Sequence, residues 1–220
     1  MNKNKTIPNV FLFDLDGTLI ESKEVIERIL NETLIEFGYQ PFSEEEILSH
    51  LGTPLKKLLR TRVRNDDVER ISKRYMEKFF EEGLKEVRVF DGVLELLQEL
   101  KSVGIKVGIV TTKSEEEAYQ VVEYLGLSKY TDVVVAYNDD VLPKPNADPI
   151  LRACSLLEAE PSKAVMVGDT HIDIAAGRSA GTYANIGVLW GIGSEEDLKD
   201  ADHLAYTVDE LKEHIRKLRA

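Results

Sequence analysis

The chain reads as an α/β protein: a parallel sheet covered on both faces by helices, with an all-helical insert after its first strand. Three observations predict this. From Phe90 onward helices and strands alternate regularly, the pattern of a parallel sheet with crossover helices. The first strand, Val10–Phe13, is a short unbroken apolar run bounded by Pro8 and Gly17, as expected of a buried strand. Roughly 90 residues then pass before the next strong strand, at 105–110, although a crossover needs only about a dozen.

The first strand ends in Asp14 and Asp16, followed by a turn at Gly17-Thr18. Positions two apart in an extended chain share a side, so both carboxylates are expected to face one pocket. Unit charges near 4 Å repel by about 4 kcal/mol at an effective dielectric of ~20, so such a pocket calls for a cation. In the insert, Val25, Ile26, Ile29, Leu30, Leu34 and Phe37 recur at helical spacing and Gly38 stops the run. Ser43 with Glu46 makes a capping box ahead of Ile47, Leu48 and Leu51. Thr53 is expected to cap another helix, with Pro54 at its first position. Val68, Ile71, Tyr75, Phe79 and Phe80 mark a longer helix ending near Gly83, completing a bundle of about four helices.

After the insert, a helix over 91–103 stops at Gly104 and leads into the strand at 105–110. Helices over 114–125, 148–157 and 172–180 alternate with strands at 133–136, 164–167 and 183–188. The tail carries 195–199, a strand His203–Ala205 and a helix Val208–Leu218.

At 220 residues, 43% hydrophobic and 31% charged, the composition is that of a soluble globular protein with a sizeable core. A formal net charge of -12 argues against nucleic-acid binding, which needs clustered Lys and Arg. It permits a phosphorylated substrate, because a metal or one placed lysine reverses the sign locally. The lone Cys154 excludes an intrachain disulfide and reads as a small buried hydrophobe. No run approaches the ~20 apolar residues of a membrane span, and residues 1–5 are polar, unlike a signal peptide. A cytoplasmic protein without a membrane partner is expected, as a monomer or weak homodimer.

Ligands of an open parallel sheet bind beyond the carboxyl ends of its strands. Here those ends carry Asp14 and Asp16, then Thr111-Thr112-Lys113-Ser114, then a loop with Lys144-Pro145, then Gly168-Asp169 with Asp173 four residues on. Each fragment alone has a plainer reading: a threonine or Ser114 as a helix cap, Lys144 as a solvated loop residue, Asp169 and Asp173 as helix-start acids. Their placement at one edge of one sheet is what those readings leave unexplained. Asp14, Asp16, Asp169 and Asp173 make an all-oxygen site that suits Mg²⁺. Lys144 adds a charge for phosphate, and the Thr111 hydroxyl with the N–H groups of the next helix start can bind phosphoryl oxygens. Asp14 is then placed to attack phosphorus and Asp16 to move the proton.

DLDGT, the strand ending in Thr111, the Lys144-Pro145 loop and GDTHID resemble, in order, the four motifs of the haloacid dehalogenase superfamily, and the resemblance covers nearly the whole chain. It implies a Rossmann-like, doubly wound core over 1–19 and 89–220, with a mobile helical cap over 20–88. It implies Asp14 as nucleophile, Asp16 as acid/base, and Thr111 and Lys144 as phosphate and charge partners. Substrate contacts are expected at Gly17, Thr18, Thr111, Thr112 and Lys144. Asp169 is expected to bind the metal, Asp16 to reach it through its carbonyl, and Asp173 to hold the metal's waters or Lys144.

Within the superfamily, Asp16 argues against dehalogenases. The β-phosphoglucomutase kind carries a cap histidine where this chain has Ile26 and an arginine where it has Leu55, so a hydrolase is favoured over a mutase. A non-catalytic phosphate-binding module would not need both Asp14 and Asp16. GIVTTKS, the turn at 51–54 and VLWGIGSEEDL look like phosphoglycolate phosphatases and related pyrophosphatases. The expected substrate is therefore a small phosphorylated metabolite, with phosphoglycolate or pyrophosphate foremost. Gly52-Thr53-Pro54 is the cap turn expected to meet it; Trp190 is expected to pack beneath a loop. His171 sits beside the fourth motif but is assigned no catalytic role, and His50, His203 and His214 show no zinc-ligand spacing.

Overall fold

The computed structural model describes residues 7–50, 52–138 and 140–220. Strand β1 (Val10–Phe13) leads through a tight turn into the two-residue strand β2 (Ile20–Glu21). Four helices follow: α1 (Lys23–Glu36), α2 (Glu44–Ser49), α3 (Leu55–Leu59) and α4 (Asn65–Lys78), the last extended by a π-helical turn at Phe79–Gly83. The chain returns through β3 (Arg88–Val89), antiparallel to β2. Then come α5 (Val93–Ser102), β4 (Lys106–Ser114), α6 (Glu115–Tyr124), β5 (Val133–Tyr137), α7 (Asp148–Leu156) and β6 (Ala164–Gly168). The remaining elements are α8 (His171–Ala180), β7 (Ala184–Val188), β8 (His203–Ala205) and α9 (Val208–Leu218).

The main sheet has the order β5-β4-β1-β6-β7-β8 and every pairing is parallel. Counting only its own six strands, the order is 3-2-1-4-5-6, the doubly wound arrangement whose direction reverses beside the first strand. Alternation along the strands divides the core cleanly. Phe11, Phe13, Val107, Ile109, Val165 and Val167 face one side, with Leu97 of α5 and Leu211 of α9. Val10, Leu12, Val110, Ala164 and Met166 face the other, with Ile150 and Cys154 of α7. Burial pushes the Cys154 thiol up to about 11, which suits an inert packing residue.

The insert is a helical cap, each of whose helices gives part of its apolar face to one continuous core. Ser43 and Glu46 close the expected capping box: the serine hydroxyl accepts from the Glu46 N–H at 3.2 Å and the Glu46 carboxylate accepts from the Ser43 N–H at 2.8 Å. Leu51, expected at the end of that run, lies outside the described residues.

Three local expectations need correction. Pro54, not Thr53, is the cap residue of α3; its ψ of 139° is extended, so the helix begins one residue later. The helix expected over 91–103 begins at Val93, because Gly92 holds φ at 82°. β4, expected to end at 110, runs on to Ser114 with a register shift after Val110, so Thr111, Thr112 and Lys113 lie on an irregular extension of the strand.

Candidate active site

β1, β4 and β6 are neighbours in the sheet, so the residues after their carboxyl ends converge by construction. Asp14 follows β1, its N–H donating to the Val167 carbonyl at 2.9 Å. Asp169 follows β6, and Asp173 sits in the first turn of α8. One carboxylate oxygen from each of Asp14, Asp169 and Asp173 lies within 4.8 Å of the others, and all three residues are buried.

Lys144 enters this cluster from the loop after β5. Its Nζ donates to Asp14 Oδ1 at 2.6 Å, Asp173 Oδ1 at 2.6 Å and the Val110 carbonyl at 2.8 Å, which uses all three ammonium protons. The lysine pKa is raised: burial opposes the charge, but Asp14 and Asp173 outweigh it. One lysine cannot balance three carboxylates. Burial therefore raises Asp14 well above the ordinary carboxyl range, against the pull of Lys144. Burial, with the Asp173 charge adding, pushes Asp169 up to about 7. A buried cluster of hard oxygen donors with excess negative charge fits a divalent cation such as Mg²⁺.

The two later acids are held differently. Asp173 Oδ2 accepts from the Thr170 hydroxyl at 2.6 Å and the Thr170 N–H at 3.1 Å, a capping box for α8. With Oδ1 on Lys144, its acceptors serve the helix start and the lysine. Asp169 accepts from the Thr18 hydroxyl at 2.9 Å and from the Ile192 N–H at 2.9 Å. Glycines let the chain crowd around it. A Cβ on Gly17, where φ is +81°, would stand 2.2 Å from Asp169 Oδ2, and one on Gly193 would stand 2.0 Å from the Asp169 carbonyl oxygen.

These contacts place the expected substrate residues. Thr18 is 1% exposed and its hydroxyl is committed to Asp169, so it stands behind the carboxylate instead of facing the cavity. Its carbonyl accepts from Trp190 Nε1 at 3.1 Å, which gives the expected packing residue a polar task as well. Gly17 lies against Asp169. Thr111 is buried and its hydroxyl accepts from the Lys113 N–H at 3.2 Å, while Thr112 lines the cavity.

Asp16 stands apart from the acidic trio. Its Oδ1 accepts from the Ser22 hydroxyl at 2.5 Å and faces Lys113 Nζ at 3.4 Å. Lys113 is buried, donates to Glu117 Oε1 at 2.5 Å and lies 5.1 Å from the centroid of the Phe79 ring. Tyr75 of the cap is buried nearby, and burial, with the Glu117 charge adding, raises its pKa above the ordinary value. Sequence reasoning missed this group. Glu117 looks like one of three solvated acids at a helix start. The available signal is that it lies four residues before Val121, on the buried face of α6.

A cavity of ≈ 230 Å³ opens above Asp14 and Asp16, walled by α1, α2, α3 and α4 of the cap. The turn at Gly52, Thr53 and Pro54 lines it. Among the described residues, no helix is long and apolar enough to cross a membrane.

Residues 11–186 match the family described as haloacid dehalogenase-like hydrolase. The chain is 36% identical over 186 residues to a phosphoglycolate phosphatase of Aquifex aeolicus, covering 83% of this chain and 85% of that one. It is 34% identical over 207 residues to pyrophosphatase PpaX of Bacillus velezensis, covering 94% and 93%. Among solved structures it resembles a predicted phosphatase from Clostridium acetobutylicum, with a TM-score of 0.83, 31% identity and coverage of 96% and 99%. It also resembles a mutant of CbbY from Rhodobacter sphaeroides in complex with xylulose-(1,5)bisphosphate, with a TM-score of 0.83, 25% identity and coverage of 93% and 96%.

Proposed function

Because the chain belongs to the haloacid dehalogenase-like hydrolases and is a phosphoric monoester hydrolase, we propose that it is a Mg²⁺-dependent phosphatase of small phosphorylated metabolites that works through an aspartyl-phosphate. The observation that carries this reading is Lys144 joining Asp14 to Asp173 beside Asp169, at the ends of adjacent strands. Phosphoglycolate and pyrophosphate, named in the relatives' descriptions, are the first candidate substrates. The reading places the enzyme in the cytoplasm as a monomer or weak homodimer, with residues 20–88 as its mobile cap.

Asp14, Asp169 and the main-chain carbonyl of Asp16 would hold the metal, with Asp173 acting on Lys144 and on the metal's surroundings. Bound Mg²⁺ supplies positive charge between an anionic nucleophile and an anionic phosphate. An Asp14 carboxylate oxygen bonds to phosphorus as the bond from phosphorus to the leaving oxygen breaks, and Asp16 gives that oxygen its proton. Asp16, now a carboxylate, takes a proton from water. The water oxygen bonds to phosphorus, the aspartyl oxygen leaves, and the Asp14 carboxylate returns with inorganic phosphate released. Lys144 fixes the nucleophile's orientation throughout. Thr111 and Thr112 are assigned to the phosphoryl oxygens, and Lys144, its three protons committed to Asp14, Asp173 and Val110, serves as the charge partner of the nucleophile, whereas Gly17 and Thr18 shape the site through Asp169.

The test is phosphate release from p-nitrophenyl phosphate and a metabolite panel, with Mg²⁺ and with EDTA. Activity is expected to vanish with EDTA, return with Mg²⁺, and fall about a thousandfold or more in Asp14→Asn. Turnover undiminished by EDTA, or retained in Asp14→Asn, overturns the reading.

A further inference from the structure

The groups packed around Asp16 have no role in the steps assigned to Asp14, Lys144 and the metal acids. Asp16 Oδ1 accepts from the Ser22 hydroxyl at 2.5 Å and faces Lys113 Nζ at 3.4 Å. Oδ2 has no hydrogen-bond partner among the described residues, and the side chain is 23% exposed where it lines the cavity above Asp14. The two oxygens are therefore unlike. An oxygen that already accepts from a hydroxyl and looks onto an ammonium is the poorer place for a proton, so Oδ2 is the one that carries it.

Lys113 is fixed from behind. Its Nζ donates to Glu117 Oε1 at 2.5 Å, and both side chains are 6% exposed. Burial opposes the lysine charge, but Asp16 and Glu117 outweigh it and raise its pKa. The cap covers the pair: the Phe79 ring centroid lies 5.1 Å from the ammonium, and Phe79 and Tyr75 are themselves buried. Water is thereby kept from a charge that stands beside the acid/base, so its attraction is weakly screened. The parts come from separate elements: Lys113 from the end of β4, Glu117 from α6, Ser22 from the start of α1 and Phe79 from the π-helical turn of the cap.

We infer that Lys113, held by Glu117, is a positioning residue for Asp16: it anchors Oδ1, so that Oδ2 and its proton are presented to the leaving oxygen. This rests on the phosphatase reading and deepens it. As the bond from phosphorus to the leaving oxygen breaks, the Oδ2 proton passes to that oxygen and Asp16 becomes a carboxylate. The new charge forms beside a fixed ammonium, an attraction that is stronger in the transition state than before it. Lys113 acts only through Asp16.

The experiment compares phenyl phosphate, whose phenolate needs a proton to leave, with p-nitrophenyl phosphate, whose p-nitrophenolate leaves readily without one. The readout is kcat/KM with Mg²⁺, which reports the steps up to the aspartyl-phosphate and not its hydrolysis. In Lys113→Met the ratio of phenyl to p-nitrophenyl phosphate is expected to fall about tenfold, since a positioned general acid contributes about 10²–10⁴-fold where a proton is needed. Lys113→Met combined with Glu117→Met removes the whole ion pair, and is expected to show the same fall even where the single change fails to fold. Asp16→Asn should lower the ratio by itself, and adding Lys113→Met to it should lower it no further. Equal losses for the two esters in both Lys113 variants, which a packing role would give, overturn the inference. A further fall of the ratio in the Asp16→Asn background overturns it as well. Absence of hydrolysis of both esters by the wild-type enzyme instead overturns the phosphatase reading beneath it.

Discussion

Lys144 and Asp173 meet at 2.6 Å in the protein interior: the lysine side chain is 2% exposed and the carboxylate 0%. The same ammonium is the only lysine or arginine nitrogen within ion-pairing distance of Asp14 among the described residues. Lys144→Met should therefore leave three buried acids without their counter-charge. The expected cost is about 3 kcal/mol, or roughly 6–12 °C in Tm for a chain of this size. Mg²⁺ should recover part of it. Thermal melts with and without the metal measure both numbers.

The acidic trio also sets the direction of a pH effect. Asp169 in the folded chain is pushed up to about 7, whereas an unfolded aspartate titrates near ~3.9. Between those values the native state binds more protons than the unfolded state, so this group's contribution is fully present below about pH 4 and is lost as pH rises toward 7. Asp14, also raised, acts in the same direction. Metal-free protein should lose stability from these groups over that window. The Tm increase on adding Mg²⁺ should grow across the same interval, because ligand and proton compete for the same oxygens. A Mg²⁺ effect on Tm that shrinks between pH 4.5 and 7 would contradict this.

Gly17 and Asp169 are packed so closely that a methyl group has no place between them. Gly17→Ala combines that collision with a φ of +81°, and should cost about 2 kcal/mol or more. By displacing Asp169 it should also weaken Mg²⁺ binding, which isothermal titration of the folded variant would register.

Buried Lys113 has Glu117 as its near partner and Asp16 as its farther one. In Glu117→Gln the ammonium should draw Asp16 closer, lowering kcat about tenfold with little change in KM, and stability should fall by about 1–3 kcal/mol. Replacing both Lys113 and Glu117 by Met should be milder for Tm than the single change, because no lone charge remains buried. Steady-state kinetics and melts on the two variants separate the two effects.

Cap closure is expected to exclude water while the aspartyl-phosphate forms. Beryllium fluoride, which mimics that adduct, should slow amide exchange in α1 and α3, two of the four helices that wall the cavity. Exchange unaltered there in the presence of Mg²⁺ and beryllium fluoride would contradict closure.

The sheet was legible because β1, β4 and β6 are apolar runs with helix-length spacers, and period-two alternation needs no tertiary knowledge. Asp14, Lys144, Asp169 and Asp173 were legible as a group because a parallel sheet delivers its strand ends to one edge. Positions decided by packing were not. Thr18 reads as part of a substrate turn, yet its hydroxyl is turned back onto Asp169 by the glycine-rich segment around Ile192, 174 residues later. Likewise Ser22, Lys113 and Glu117 gather around Asp16 only because the cap and β4 approach there. No spacing along the chain encodes that approach.

The pairing of β2 with β3 has a consequence for how the molecule assembles. Ile20 lies opposite Val89, so the helical insert begins and ends at adjacent points. If the insert orders early, the stretch between β1 and β4 behaves during folding as a short tether instead of a long slack one. The entropy of closing that loop is then spent within the insert, and the central strand can find its neighbour as though the two were nearly contiguous.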